Sequence, residues 1–94
     1  MKHAGTAALD GIEPMLELIR RVPGLSERSR GTFYKHSKAF LHFHEDPTGM
    51  HADIRLADDF ERYRVETQAE QDVLVELVRS SVTTAITRGA GREG

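Results

Sequence analysis

The stretch Phe40-Leu-His-Phe-His-Glu-Asp-Pro-Thr-Gly-Met-His-Ala-Asp-Ile-Arg-Leu56 decides the fold, because apolar and polar residues alternate on both sides of a turn signal. Asp46-Pro47-Thr48-Gly49 puts proline at the second turn position, where its fixed φ is favoured, and glycine where φ can turn positive. Strands over 39–45 and 50–56 then close into a hairpin. Pairing Glu45 with Met50 across a four-residue loop sets Phe43 opposite Ala52 and Leu41 opposite Ile54, leaving one face apolar throughout. A slip of one residue would turn every side chain to the other face.

On either side, the chain from Thr32 is rich in aromatic and β-branched residues, and two further strands fit at 32–36 and 60–65. His36-Ser37-Lys38 and Asp58-Asp59 are both of hairpin length, which predicts a four-stranded antiparallel meander. A three-residue first turn sets Phe33 beside Leu41. A two-residue last turn sets Tyr63 beside Ile54 and Val65 beside Ala52. Phe33, Leu41, Phe43, Ala52, Ile54, Leu56, Tyr63 and Val65 then share the core face.

Helical patterns flank the strands. Ile12, Met15, Leu16, Ile19 and Val22 recur at helical spacing, with Asp10 and Glu13 at a capping position, Pro14 in the first turn and Pro23-Gly24 as a stop. A helix is expected over 10–22. Thr67-Gln-Ala-Glu70 is a capping box, and Leu74, Leu77, Val78, Val82 and Ala85 follow at i, i+3, i+4 spacing, predicting a second helix over 68–87. Each helix has one apolar stripe, so both should pack on the Leu41/Phe43/Ile54 face. The expected organisation is a flexible N-terminus over 1–9, one α+β domain over 10–87 and a disordered tail over 88–94.

Composition narrows the function classes. Ninety-four residues, 38% hydrophobic and 30% charged, suit one domain that buries roughly 60–65% of its unfolded surface, too little for a large enclosed active site. The absence of cysteine excludes disulfides, thiolate metal sites and a cysteine nucleophile, and makes the reducing cytoplasm the expected compartment. Neither a membrane span nor a signal-like apolar run is apparent. No nucleophile elbow, phosphate-binding glycine loop or His-Glu-x-x-His pattern appears, so no catalytic residue is assigned.

The same register leaves a polar face of Thr32, Tyr34, Phe40, His42, His44, His51, Asp53, Arg55, Arg62 and Arg64, with His44 opposite His51, His42 opposite Asp53, and Asp53 opposite Arg64. His42 and His44 project from one strand in the same direction. With His51 and Asp53 they form a candidate divalent-metal site of imidazole and carboxylate ligands; the structural alternative is a solvated sheet face with Asp53 paired to an arginine. No other cofactor is expected. Tyr34, Phe40, Arg55, Arg62 and Arg64 form a candidate binding surface for a protein partner or a second copy of the chain, since exposed aromatics mark interfaces.

The net charge of −2 conceals segregation: residues 20–38 hold six basic residues against Glu27 alone, and residues 45–76 hold ten acids against three arginines. Arg28, Arg30, Lys35 and Lys38 are therefore candidate phosphate contacts for nucleic acid, opposed by repulsion from the acidic half.

Val22-Pro23-Gly24-x-x-Glu27, Lys38-Ala39-Phe40-Leu41-His42-Phe43 and Ala52-Asp53-Ile54-Arg55-Leu56, set between two amphipathic helices, resemble the MmcQ/YjbR-like group of small bacterial proteins over roughly residues 12–85. That resemblance implies an α+β sheet with helices on one side, in an architecture compared with DNA-binding double-wing domains, and an undefined biochemical role. Phe40–Leu56 is also similar to a small "luciferase domain" family of unassigned biochemistry. Neither resemblance assigns a catalytic residue. The expected function is an uncharacterised binding or interaction module acting through the polar sheet face, with metal binding and weak nucleic-acid binding as the alternatives.

Overall fold

A computed structural model describes residues 2–91, with side chains described over 4–82. The chain runs β1 (Lys2–His3), α1 (Thr6–Gly11), α2 (Glu13–Arg20), β2 (Leu25–Ser29), β3 (Thr32–Lys35), β4 (Lys38–Asp46), β5 (Gly49–Arg55), β6 (Phe60–Arg64) and α3 (Gln68–Gly91). β2 to β6 form an antiparallel meander in chain order, and β1 pairs with β4 at Glu45 and His44, beyond the reach of β3. The architecture is α+β with an antiparallel sheet, as the alternation predicts.

The central hairpin has the predicted register: Leu41 pairs with Ile54, Phe43 with Ala52, His44 with His51 and Glu45 with Met50. The turn demands little of the chain, since Gly49 takes φ 121° and the Met50 N–H donates to the Glu66 carboxylate. Phe33, Leu41, Phe43, Ala52, Ile54 and Val65 from the sheet are buried in one core with Leu16 and Ile19 of α2 and Leu74 and Val78 of α3.

Two turns differ from expectation. The first is a two-residue turn with Lys35 opposite Lys38, after which a bulge at Phe40 restores the expected Phe33–Leu41 pair. A bulge sets two residues against one, and here Phe40 and Leu41 both enter the core, 1% and 0% exposed. Phe40 is therefore a core residue and not part of the exposed face. The last turn is two residues longer than expected, since Arg55 pairs with Phe60 across residues 56–59, and Tyr63 lies opposite Ala52 rather than Ile54. A shift of two keeps every side chain on its predicted face.

The polar segment 25–31, which shows no apolar period, supplies the edge strand β2. Charges replace an apolar stripe there: Arg20 of α2 bonds Glu27 through Nε and Nη2, at 2.6 and 3.1 Å, and also reaches Glu13. An edge strand with charged side chains also resists pairing with another sheet.

The single N-terminal helix expected over 10–22 is two helices. Pro14 has no N–H to donate to the Asp10 carbonyl, and its ring would collide with that carbonyl, so the helix breaks at Ile12 and restarts with proline in the first turn of α2. Asp10 is not a cap; it pairs with Arg30 at 2.8 Å. Of the expected flexible segment 1–9, β1 adds to the sheet, the Ala4 N–H donates to the Phe43 carbonyl at 3.1 Å, and Leu9 is buried. The capping box forms as predicted, with the Glu70 N–H on Thr67 Oγ1 at 3.1 Å and the Thr67 N–H on Glu70 Oε1 at 3.0 Å. α3 continues through 88–91, and residues 92–94 of the expected tail lie outside the described residues.

Two glycines test this packing. Gly31 has φ 82°, and a Cβ there would lie 2.9 Å from Leu9 Cδ2, whereas a Cβ at Gly11 meets nothing within 4 Å. Gly31→Ala should destabilise by about 1–3 kcal/mol, and Gly11→Ala should be neutral or stabilising by up to about 1 kcal/mol. Urea unfolding of the two variants measures the contrast.

Candidate functional site

Parity along the strands builds the site on the face opposite the core. β4 contributes His42 and His44, β5 contributes His51, Asp53 and Arg55, and β6 contributes Phe60, Arg62 and Arg64. Asp53 is the centre. It is the buried charged residue of the described chain, 7% exposed, and a carboxylate taken out of water needs partners on both oxygens.

Arg62 supplies them in a two-pronged contact, Nε to Oδ1 at 2.7 Å and Nη2 to Oδ2 at 2.8 Å. The bidentate match of guanidinium to carboxylate is the strongest ion-pair geometry available to side chains. It holds the Asp53 carboxyl below its ordinary range, Arg62 acting first against the opposing effect of burial. The sequence reading sets Asp53 opposite Arg64; the longer 56–59 connection brings Arg62 there instead and moves Arg64 opposite His51. Arg64 lies 3.5 Å from Glu70.

Imidazoles continue the network. His44 Nε2 lies 3.1 Å from Asp53 Oδ2, and His42 Nδ1 lies 2.9 Å from His44 Nε2. Which ring donates between His42 Nδ1 and His44 Nε2 follows from the tautomer; the tautomer with the proton on His44 Nε2 directs an N–H toward the Asp53 carboxylate and the lone pair of His42 Nδ1. The His42 ring also meets Phe60 edge-on at 4.9 Å, and the Arg55 guanidinium stacks on the same Phe60 ring at 4.5 Å. Arg55 is fixed by two carbonyls, Ala39 at 2.9 Å and Asp58 at 3.0 Å.

Ligand atoms of His42, His44 and Asp53 lie within 4.8 Å of one another, so three of the four candidate metal ligands converge. His51 does not join them. Its Nδ1 faces Asp46 Oδ1 at 3.9 Å, beyond hydrogen-bond range, while Asp46 is occupied in the turn by Thr48. The candidate binding surface also divides. Tyr34 lies under the Arg28 guanidinium at 4.3 Å, paired with β2 at Ser26. The four candidate phosphate contacts do not form one stripe, for Arg30 is paired with Asp10 and Glu13 while Lys35 and Lys38 sit at the β3–β4 turn. Phe60 was missed, although its even spacing from Arg62 and Arg64 places it on their face.

Comparison of the chain with protein-family models, with curated proteins and with solved structures finds no match. Among the described residues, no helix is long and apolar enough to cross a membrane.

Removing the Asp53 charge should expose the role of the Arg62 pair. Arg62 is 45% exposed at its side chain and can return to water, so Asp53→Asn should cost about 1–3 kcal/mol near neutral pH rather than the full penalty of a buried unpaired charge. The folded carboxyl lies below its ordinary 3.8, so the unfolded state binds more protons and the contribution disappears as pH falls through the folded value. The stability gap between wild type and variant should therefore close below pH 3.8. Chemical denaturation across an acid series reads both effects.

Proposed function

We propose that the protein is a small binding module whose working surface is the sheet face around Phe60, Arg55, His42 and Arg62. One observation supports this above the rest. Phe60 is among the exposed large hydrophobic residues, 36% accessible, yet it is held between the Arg55 guanidinium and the His42 ring. An aromatic and arginines fixed before a ligand arrives are the residue types that dominate binding energy at interfaces, and little side-chain entropy is left to lose. The MmcQ/YjbR-like resemblance implies an α+β sheet with helices on one side and an undefined biochemical role, and adds no chemistry to this reading.

The proposed occupant is a protein segment or a second copy of the chain. Phe60→Ser, at an exposed position, should change stability by about 1 kcal/mol or less. Sedimentation equilibrium of wild type over rising concentration should show self-association that this substitution abolishes. Association unaffected by the substitution would place the interface elsewhere.

The convergence of His42, His44 and Asp53 favours a second function, divalent-cation binding. Two imidazoles and a carboxylate suit zinc or nickel and leave a fourth position open. Arg62 opposes it electrostatically, and each imidazole must offer a lone pair to the cation, so binding competes with the contact between the His42 and His44 rings. Zinc titration followed by histidine ring resonances should move His42 and His44 and leave His51 in place. No ring response, or a response led by His51, would remove this function.

A further inference from the structure

A cavity lies off this surface, at the end of the sheet. There the β3–β4 turn and the 56–59 connection flank a half-open cleft of about 480 Å³, lined by Lys35, His36, Lys38, Phe40, Arg55 and Leu56 among others. That volume matches a small-molecule ligand. Its wall carries three cations with one acidic residue, Asp58, among the lining side chains.

Among the described residues neither Lys35 nor Lys38 has a carboxylate in ion-pair range, and Arg55 spends its two hydrogen bonds on the carbonyls of Ala39 and Asp58. Elsewhere on the chain Arg20, Arg30 and Arg62 each face carboxylates. Lys35 and Lys38 also lie directly opposite one another in the ladder, a like-charge arrangement that disfavours strand pairing. The turn that imposes it runs through His36 at φ 54° and Ser37 at φ 72°, left-handed conformations usually taken by glycine or asparagine. Strain and repulsion retained together at the rim of a cavity are features of binding sites.

Phe40 acts from beneath the cavity, through Lys35. Its ring is buried by the β4 bulge and lies 4.8 Å from Lys35 Nζ, so that ammonium is held beside the cavity rather than extended into water. The bulge and the two-residue turn thus gather charges from residues 35, 38 and 55 around one space.

We propose that this cavity binds the phosphate group of a small phosphorylated molecule, with Lys35, Lys38 and Arg55 as its cationic partners and Leu56 and Ala57 as the apolar wall for the rest. A phosphomonoester dianion matches the excess of positive charge better than a single carboxylate, and ammonium and guanidinium groups are its common partners. The site is separate from His42, His44 and Asp53 and shares only Arg55 with the surface around Phe60.

The test is an amide-resolved NMR titration of the full chain at low ionic strength with phenyl phosphate, with phenol and a short single-stranded oligonucleotide as parallel probes. The expected result is saturable shifts with phenyl phosphate at residues 35–40 and 55–58 and no saturable response to phenol. Lys35→Gln/Lys38→Gln should weaken binding by about tenfold or more, given the strength of charge-assisted bonds. Lys38→Gln alone, at an exposed turn position, gives a milder variant whose spectrum should otherwise overlay the wild type, with binding weakened by a smaller factor. Absence of saturation, shifts centred elsewhere, or undiminished affinity in both variants would overturn the proposal. Binding of the oligonucleotide without binding of phenyl phosphate would also overturn it, in favour of a polyanion surface.

Discussion

Glu45 opposite Met50 is the pairing on which the molecule depends. It fixes Phe43 against Ala52 and Leu41 against Ile54 on one side of the sheet, and His44 and His42 against His51 and Asp53 on the other. A one-residue slip would bury two imidazoles and a carboxylate among Leu16, Ile19, Leu74 and Val78, and expose the phenyl and branched side chains to water. Burial of apolar area and desolvation of charge therefore favour the same register. Turn chemistry at Asp46–Gly49 agrees with both, and agreement among local and global preferences is what makes a single fold.

What that alternation can encode is side-chain parity, and parity was legible in the sequence. The core face, the polar face and the central hairpin were all readable from it, as was α3 from its capping box and stripe. Residue counts in the flanking turns were not. Asp58-Asp59 has the length of a hairpin turn, yet the carbonyl of Asp58 is needed by Arg55 and the connection takes four residues. Arg62 rather than Arg64 consequently reaches Asp53, a change in the site that periodicity cannot express. The Phe40 bulge is similar: nothing in Lys38-Ala39-Phe40-Leu41 marks an extra residue, and the gain comes from burying a second large ring beside Leu41.

Charge explains the elements with no apolar period. β2 is polar and lies at the sheet edge, yet Glu27 binds Arg20 of α2 and also accepts the Gly31 N–H at 2.9 Å. Glu13 is drawn down to about 2, first by Arg20 and then by Arg30, the latter just beyond β2. The basic segment 20–38 is thus partly consumed in holding α1, α2 and β2 together, which is why it does not present itself as one polyanion surface. The acidic half is engaged in the same way at Asp46, Asp53 and Glu70, in a turn, a buried pair and a helix cap. Among the described residues, Lys35 and Lys38 at the β3–β4 turn face no carboxylate in ion-pair range, and they stand out against that background.

One hairpin register separates a helix-covered core from a face carrying His42, His44, Asp53 and Arg62. Cross-strand nuclear Overhauser effects between β4 and β5 test it most directly. Backbone contacts should pair Phe43 with Ala52 and His44 with His51. Contacts offset by one residue, pairing Phe43 with His51 or with Asp53, would contradict the register and with it the site.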